Sequence, residues 1–374
     1  MTATEERLGL RDSTAVSVPG RSRRRSPEPL ASRGADGLPR ELEPRRLRRR
    51  LLQVLALLAV IVLVALLAPG LGDVRQRLEG AAAGWLAVAV AFEALSCWSY
   101  VLMFRRVFCP RMSWRTSAQI GWSELAAGSL VPASGAGGLA LGAWILHRGG
   151  MPADRIARRS VAFFLIKSSV NFVAVAVLGA AMAVGLFGPD LSLLLTALPA
   201  ALSIVVIALV LAIPRLGPSR EPGPGASKMR RAVAAVRRSV IGGAAEAVAL
   251  LRTRDWTVIA GSIGYWAFDN AVLWATFKAV GADVPLSVVL MGYLIGQLGG
   301  LLPLPGGVGG IDGGLIGTLI VYGAPAASTV AAVLAYRLIL FWLPLIGGAI
   351  AFASLRRALN RAERRDLCEA IPAA

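Results

Sequence analysis

The chain has 374 residues, of which 56% are apolar, yet it carries a formal net charge of +18. The basic residues are concentrated between long apolar runs of about 17 to 28 residues. Such runs can cross a hydrocarbon core of about 30 Å, because a helix rises 1.5 Å per residue. The composition therefore predicts an all-α, polytopic membrane protein and argues against a soluble enzyme.

The chain has few cysteine and histidine residues that could bind a metal or form a disulfide. Cys97, Cys109 and Cys368 show no paired spacing, and His147 is the one histidine of the chain. Metal sites usually need several such ligands at close spacing. We therefore expect no disulfide, no metal and no cofactor.

The chain begins with a basic segment that differs from the rest. Residues 1–50 are rich in Arg, Pro, Ser and Gly and lack apolar periodicity, which predicts a disordered arm. The apolar run at 51–69 is too long for a signal peptide and lacks a suitable cleavage site. The predicted domains are the arm at 1–50, a transmembrane domain at 51–357 and a tail at 358–374.

Six apolar runs predict full membrane spans, at 51–69, 82–103, 162–188, 191–213, 256–280 and 329–354. Two further apolar regions, 117–131 and 286–302, run into segments of Pro and Gly and are followed by short apolar limbs. As helices the limbs would be only about 15 to 20 Å long. We predict that each interrupted region forms a re-entrant hairpin, which returns to the side that it entered.

The distribution of positive charge supports this topology. With two re-entrant hairpins, 35 of the 40 Lys and Arg residues fall on one side, which the positive-inside rule assigns to the cytoplasm. A single crossing at the first interrupted region would place Arg148, Arg155, Arg158 and Arg159 outside. We therefore predict a multi-pass protein of the bacterial cell (inner) membrane with cytoplasmic termini.

The two interrupted regions also resemble each other, which predicts an internal repeat. Aligning Pro132 with Pro303 places Gly135 on Gly306, Gly137 on Gly309 and Gly138 on Gly310. Three full crossings separate the two copies, so the second would be inverted, as in many secondary transporters. The alternative is that small residues only allow close helix packing, as in the GxxxG pattern of Gly292 and Gly296.

One segment between the predicted spans is amphipathic. Residues 226–253 place apolar side chains at helical spacing, with Lys and Arg around them. This pattern predicts a basic helix at the membrane interface. Such a helix either recognises anionic lipid or serves only as an elbow on the membrane surface.

Charged residues inside spans are costly and usually face a partner or a watery cavity. Our candidate substrate-binding residues are these charged side chains, one neighbouring amide, and the Pro and Gly residues of the two breaks. They are Glu93, Glu124, Lys167, Asp269, Asn270, Asp312, Arg337, Pro132, Gly135, Gly137, Gly138, Pro303, Pro305, Gly306, Gly307, Gly309 and Gly310. Helix N-termini at the glycines, together with Lys167 and Arg337, suit a phosphate headgroup. The alternative is that the acidic residues merely neutralise Lys167 and Arg337.

Four short stretches resemble a known family. They are GYWAFDN at 264–270, LPLPGGVGG at 302–310, Tyr322-Gly323 and Tyr336-Arg337-Leu338. In these the chain is similar to the lysylphosphatidylglycerol synthase transmembrane-region family, of flippase-like or UPF0104 type, over about 51–357. The resemblance implies translocation or binding of an anionic lipid: a phospholipid, an aminoacyl phospholipid or a polyprenyl-phosphate carrier.

The expected partners are membrane lipids rather than nucleic acid. The rival hypothesis is a non-transporting scaffold that assists an envelope-lipid enzyme. A transferase activity is not expected, because the spans lack a set of nucleophile, base and metal.

The sequence departs from the family pattern at three points. Some twenty residues follow the last predicted span, so we expect no aminoacyl-transferase domain. Asp312 stands where the family usually has Glu. Leu139 and Phe164 stand where an acidic residue and an Arg are common, which predicts that the first repeat is the less active one.

Overall fold

The computed structural model describes residues 48–49, 51–53, 55–56, 59, 72–130, 136–217, 223, 227–298, 310–361 and 368. Within these residues all regular secondary structure is helical, as predicted. The α-helices from residue 72 onward are α1 (Gly72–Glu79), α2 (Ala83–Phe108), α3 (Trp114–Leu130), α4 (Ala136–Arg148), α5 (Ala153–Ala183), α6 (Leu193–Ala212), α7 (Lys228–Arg252), α8 (Trp256–Ala279), α9 (Leu286–Gly296), α10 (Gly310–Val321) and α11 (Ala326–Arg361). A short 3₁₀ helix, Ile213–Leu216, extends α6.

Four helices of the described part are long and apolar enough to cross a membrane: α2, α5, α6 and α11. They correspond to four of the predicted spans. The predicted span at 256–280 coincides with the 24-residue helix α8, which carries Asp269, Asn270 and Lys278 and is not among these four. The predicted span at 51–69 lies largely outside the described residues. The chain is thus a multi-pass helical membrane protein.

Helices α2 and α8 form the centre of the fold and pack with their backbones close together. A Cβ atom added to Gly261 would lie 2.9 Å from the backbone nitrogen of Met103, so this contact requires glycine. At one end of the pair, the Arg106 guanidinium forms an ion pair with Asp255, which caps α8. Burial alone would raise the pKa of the Asp255 carboxyl group, but hydrogen bonds from Thr257 and Arg106 hold it below its ordinary value.

The short helices pack in pairs, α3 with α4 and α9 with α10. In the second pair, Gly296 faces Leu315 and Gly292 faces Leu319, so the two helices run antiparallel. Their lengths of 11 and 12 residues correspond to about 17 and 18 Å, well short of a hydrocarbon core. The breaks themselves, at 131–135 and 299–309, lie outside the described residues, and re-entry into the membrane remains a prediction.

The glycine contacts of the α9–α10 pair lead to a stability prediction. A Cβ atom at Gly296 would lie 2.6 Å from the Leu315 Cα atom, and the backbone cannot move aside cheaply. We expect Gly296→Ala to destabilise the protein by about 1–3 kcal/mol, the usual cost of overpacking. Thermal unfolding of detergent-purified protein measures the effect. Gly317→Ala in α10 is the matched control, because no atom lies within 4 Å of the added methyl group. Equal midpoints for the two variants would contradict the packing argument.

The expectation that the cysteines form no disulfide was wrong. Cys109, directly after α2, is bonded to Cys368, and their Cα atoms are 5.6 Å apart. The two residues are separated by 259 positions in the sequence, so spacing rules that recognise local pairs gave no signal. Cys97 is the remaining cysteine; its thiol is free and buried in α2.

Candidate functional site

A large cavity of about 1680 Å³ is lined by residues of ten helices, α2 to α11. Aliphatic and aromatic side chains form most of its wall, among them Phe163, Leu178, Ile207, Leu251 and Phe341. Helix α6 packs mainly on α5, so it forms an outer wall of the cavity rather than part of the central core. A cavity of this size and lining suits a long apolar ligand.

A smaller polar recess of about 240 Å³ adjoins the large cavity and shares nine of its lining residues. Three charged side chains border it: Lys167 from α5, Asp269 from α8 and Arg337 from α11. The amides of Asn171 and Gln297 also line the recess. The site therefore joins a long apolar volume to a compact polar end.

Asp269 connects three helices at the inner wall of the recess. The Tyr336 hydroxyl of α11 donates a 3.0 Å hydrogen bond to one carboxyl oxygen, and the Tyr293 hydroxyl of α9 donates to the other. All three side chains are buried. Two phenol donors stabilise a carboxyl group that would otherwise be costly to remove from water.

A second buried carboxyl group has a similar partner. The Tyr100 hydroxyl of α2 donates a 2.8 Å hydrogen bond to Glu124 of α3. Glu124 packs directly against Gly142 of α4, where any side chain would collide with the carboxyl group. A glycine at 142 therefore makes room for Glu124 within the α3–α4 pair.

Lys167 lies between the two acidic residues. It is close enough to Glu124 and Asp269 for electrostatic attraction to both, and its Nζ atom lies 5.6 Å from the centre of the Tyr265 ring. Glu93 of α2, also buried, accepts a 3.5 Å hydrogen bond from Cys97 and interacts electrostatically with Asp269. Lys167 thus interacts with one acidic residue from each half of the chain, Glu124 and Asp269.

Asp312 forms an ion pair with Arg337. The Arg337 Nε atom lies 3.2 Å from a carboxyl oxygen of Asp312, and both side chains are 13% exposed. Asp312 stands in the first turn of α10, where the helix dipole favours a negative charge. Arg337 borders both cavities, whereas Asp312 borders neither. Asp312 therefore orients Arg337 towards the cavity.

The structure brings five predicted site residues to one cavity: Glu93, Glu124, Lys167, Asp269 and Arg337. Gly138 of α4 also lines it. Asn270 does not, because it is buried elsewhere and donates a 2.8 Å hydrogen bond to the Trp266 carbonyl. Gly137 lies in α4, and Gly310 begins α10. The remaining predicted positions lie outside the described residues: Pro132, Gly135, Pro303, Pro305, Gly306, Gly307 and Gly309.

Sequence reasoning missed the aromatic residues that surround the charged groups. Of the five tyrosines in the chain, Tyr100, Tyr265, Tyr293 and Tyr336 line one or both cavities. Trp266 also borders both cavities, and its buried indole Nε1 has no hydrogen-bond partner among the described residues. The signal was present, since a polar aromatic side chain in an apolar helix usually seeks a partner.

The fold and the site together define a class: a multi-pass helical membrane protein with charged groups facing an internal cavity. The chain belongs to the lysylphosphatidylglycerol synthase TM region family, whose model matches residues 52–348. The recognition made from the short motifs is thereby confirmed.

Curated relatives from the archaeon Methanothermobacter thermautotrophicus are described as UPF0104 membrane proteins. One is 33% identical over 86 residues, which cover 23% of this chain and 26% of the relative. Another is 37% identical over 91 residues, covering 24% and 26% respectively. The chain thus spans about a quarter of the length of the curated relatives that it matches, and their names give no substrate.

Proposed function

We propose that the protein is a flippase-like carrier, which binds a phosphate-bearing membrane lipid in this cavity and moves it across the membrane. The observation that carries the proposal is the junction of the two cavities. The apolar volume matches acyl or prenyl chains, and the polar recess matches a headgroup. Lys167 and Arg337 both border the recess and supply positive charge for a phosphate.

The numbers of acidic and basic residues in the cavity indicate which class of lipid headgroup fits it best. Three acidic residues, Glu93, Glu124 and Asp269, line it together with two basic ones. A headgroup that carries an amino group as well as a phosphate would match both signs of charge. Among the lipid classes that the sequence suggests, this balance favours phospholipids with an amino group, including aminoacyl phospholipids. Simple anionic phospholipids and polyprenyl phosphates share only the phosphate.

The order of helix lengths supports a two-repeat architecture for the carrier. Helices α2 to α5 have 26, 17, 13 and 31 residues, and α8 to α11 have 24, 11, 12 and 36. In each set a carboxyl–phenol hydrogen bond joins the first long helix to the first short one. We propose that the two sets are inverted repeats with re-entrant hairpins, and that both termini are cytoplasmic.

The proposal is tested with purified protein in liposomes that contain traces of fluorescent lipid. Chemical quenching of the outer leaflet then measures how much labelled lipid crosses. We expect faster crossing than in protein-free liposomes, with amino-bearing phospholipid moved faster than phosphatidylglycerol or polyprenyl phosphate. Lys167→Ala should slow crossing at least about tenfold, because removal of a charged hydrogen-bond donor typically costs 1.5–3 kcal/mol.

Lys278→Ala is the matched control for Lys167→Ala. Lys278 lies near the end of α8, pairs with the exposed Asp283 and lines neither cavity. The Lys278→Ala variant should therefore leave the rate of lipid crossing unchanged. If wild-type protein moves none of the lipids faster than empty liposomes, the result would contradict the transport proposal and favour the scaffold hypothesis.

A further inference from the structure

Helix α7 carries an apolar stripe that is covered along only half its length. Met229, Val233, Val236 and Val240 follow at spacings of four, three and four residues, so they share one face. They are 74, 60, 60 and 37% exposed, which is unusual for side chains of this size outside a membrane-spanning helix. Their exposed surface requires an apolar partner.

The same face is covered further along the helix. Ala244 and Ala247 are buried, and Ala244, Ala247, Val248 and Leu251 line the large cavity. The C-terminal half of α7 therefore docks on the transmembrane domain and forms part of the cavity wall.

This docking is fixed by packing and charge on α5. Any side chain at Gly243 would collide with Val161, so the two helices approach closely. Glu246 forms ion pairs of 3.3 and 3.2 Å with Arg158 and Arg159. Because this half is anchored, the exposed half of α7 extends from the cavity wall in a defined direction.

The charge around the exposed stripe identifies its partner. Residues 228–240 contain five basic residues and no acidic one. All five basic residues are exposed, and Arg230 and Arg237 lie seven residues apart on one edge of the apolar face. A partner with an apolar interior and a negatively charged surface matches this arrangement. An anionic membrane leaflet has that chemistry.

The connections of α7 place it at a membrane surface. It follows α6, one of the four apolar spans, and is joined to α8 by residues 253–255 alone. We propose that the N-terminal half of α7 lies in the interface of an anionic leaflet and positions the mouth of the cavity at that leaflet. The effect of this positioning on lipid crossing rests on the proposed transport function, whereas the membrane contact does not.

The membrane contact is tested by fluorescence in liposomes. An environment-sensitive probe is attached to Val236→Cys, on the stripe, or to Ala235→Cys, an exposed position on the opposite side of α7. Native thiols interfere little, since Cys97 is buried and Cys109 is bonded to Cys368. We expect brominated phospholipid chains to quench the probe at 236 strongly and the probe at 235 weakly. Equal quenching, or a shielded probe at 236 that lipid does not quench, would overturn the proposal and point to a protein partner.

The role of charge is tested with the triple variant Lys228→Glu, Arg230→Glu, Arg237→Glu. Each basic residue near an anionic surface contributes about fivefold to binding, so the quenching at 236 should become insensitive to phosphatidylglycerol content. The rate of lipid crossing should fall in phosphatidylglycerol liposomes and match wild type in phosphatidylcholine liposomes. Unchanged rates in both would overturn the role of α7 in positioning the cavity mouth. A wild-type protein that moves no lipid would defeat the transport proposal, yet the quenching at 236 would still decide the membrane contact.

Discussion

Asp269→Leu is expected to reduce the yield of folded protein severely. Leucine has a similar size but cannot accept the hydrogen bonds of Tyr293 and Tyr336, so two buried hydroxyl groups would lose their shared partner. Hydrogen bonds to a charged group contribute about 1.5–3 kcal/mol each. The two bonds together are therefore a large fraction of a typical free energy of unfolding. Size-exclusion profiles and thermal midpoints of detergent-extracted protein measure the loss.

Two comparisons separate this effect from the loss of a charge alone. Asp283→Leu removes an acidic residue whose side chain is 90% exposed, and should leave the folded yield unchanged. Adding Tyr293→Phe and Tyr336→Phe to Asp269→Leu removes the stranded hydroxyl groups as well. It should recover part of the lost stability, because replacing both partners by apolar groups costs less than replacing one. A normal yield for Asp269→Leu would show that Asp269 does not hold α8, α9 and α11 together.

The sequence predicted the membrane class and the main charged residues because both depend on composition and local position. A charge within an apolar run is costly wherever its partner lies, so Glu93, Lys167 and Arg337 are recognisable from the linear sequence alone. Helix boundaries likewise follow from local signals: the predicted basic segment at 226–253 contains α7, Lys228–Arg252.

The partners of those charges depend on tertiary packing and were not predictable in the same way. The sequence offered several acidic partners for Arg337 without selecting Asp312, with which it pairs. Nothing local indicates that Tyr100 and Tyr293 donate hydrogen bonds to carboxyl groups 24 residues away in each case. The division of the site into an apolar cavity and a polar recess arises from ten helices, α2 to α11, whose side chains line it. The Cys109–Cys368 disulfide is a further long-range contact of this kind.

Arg337→Ala is expected to reduce lipid crossing at least about tenfold while the protein still inserts. The reason is that Arg337 borders the recess and can bind a phosphate with two parallel hydrogen bonds. Arg337→Lys keeps the charge but loses the fork geometry, so its rate should lie between those of wild type and Arg337→Ala. The liposome assay with fluorescent phospholipid measures all three rates.

The ion pair with Asp312 provides the decisive comparison, because it offers a purely structural role for Arg337. If Arg337 only neutralises Asp312, Arg337→Ala leaves a carboxylate without its cation, and adding Asp312→Asn should restore both yield and transport. If Arg337 binds the headgroup, the double variant should recover yield but not transport. The single variant Asp312→Asn should then transport at a reduced rate, because Arg337 keeps its charge but loses the group that orients it. Full transport by the double variant would therefore exclude the headgroup role and leave Lys167 as the principal cation of the recess.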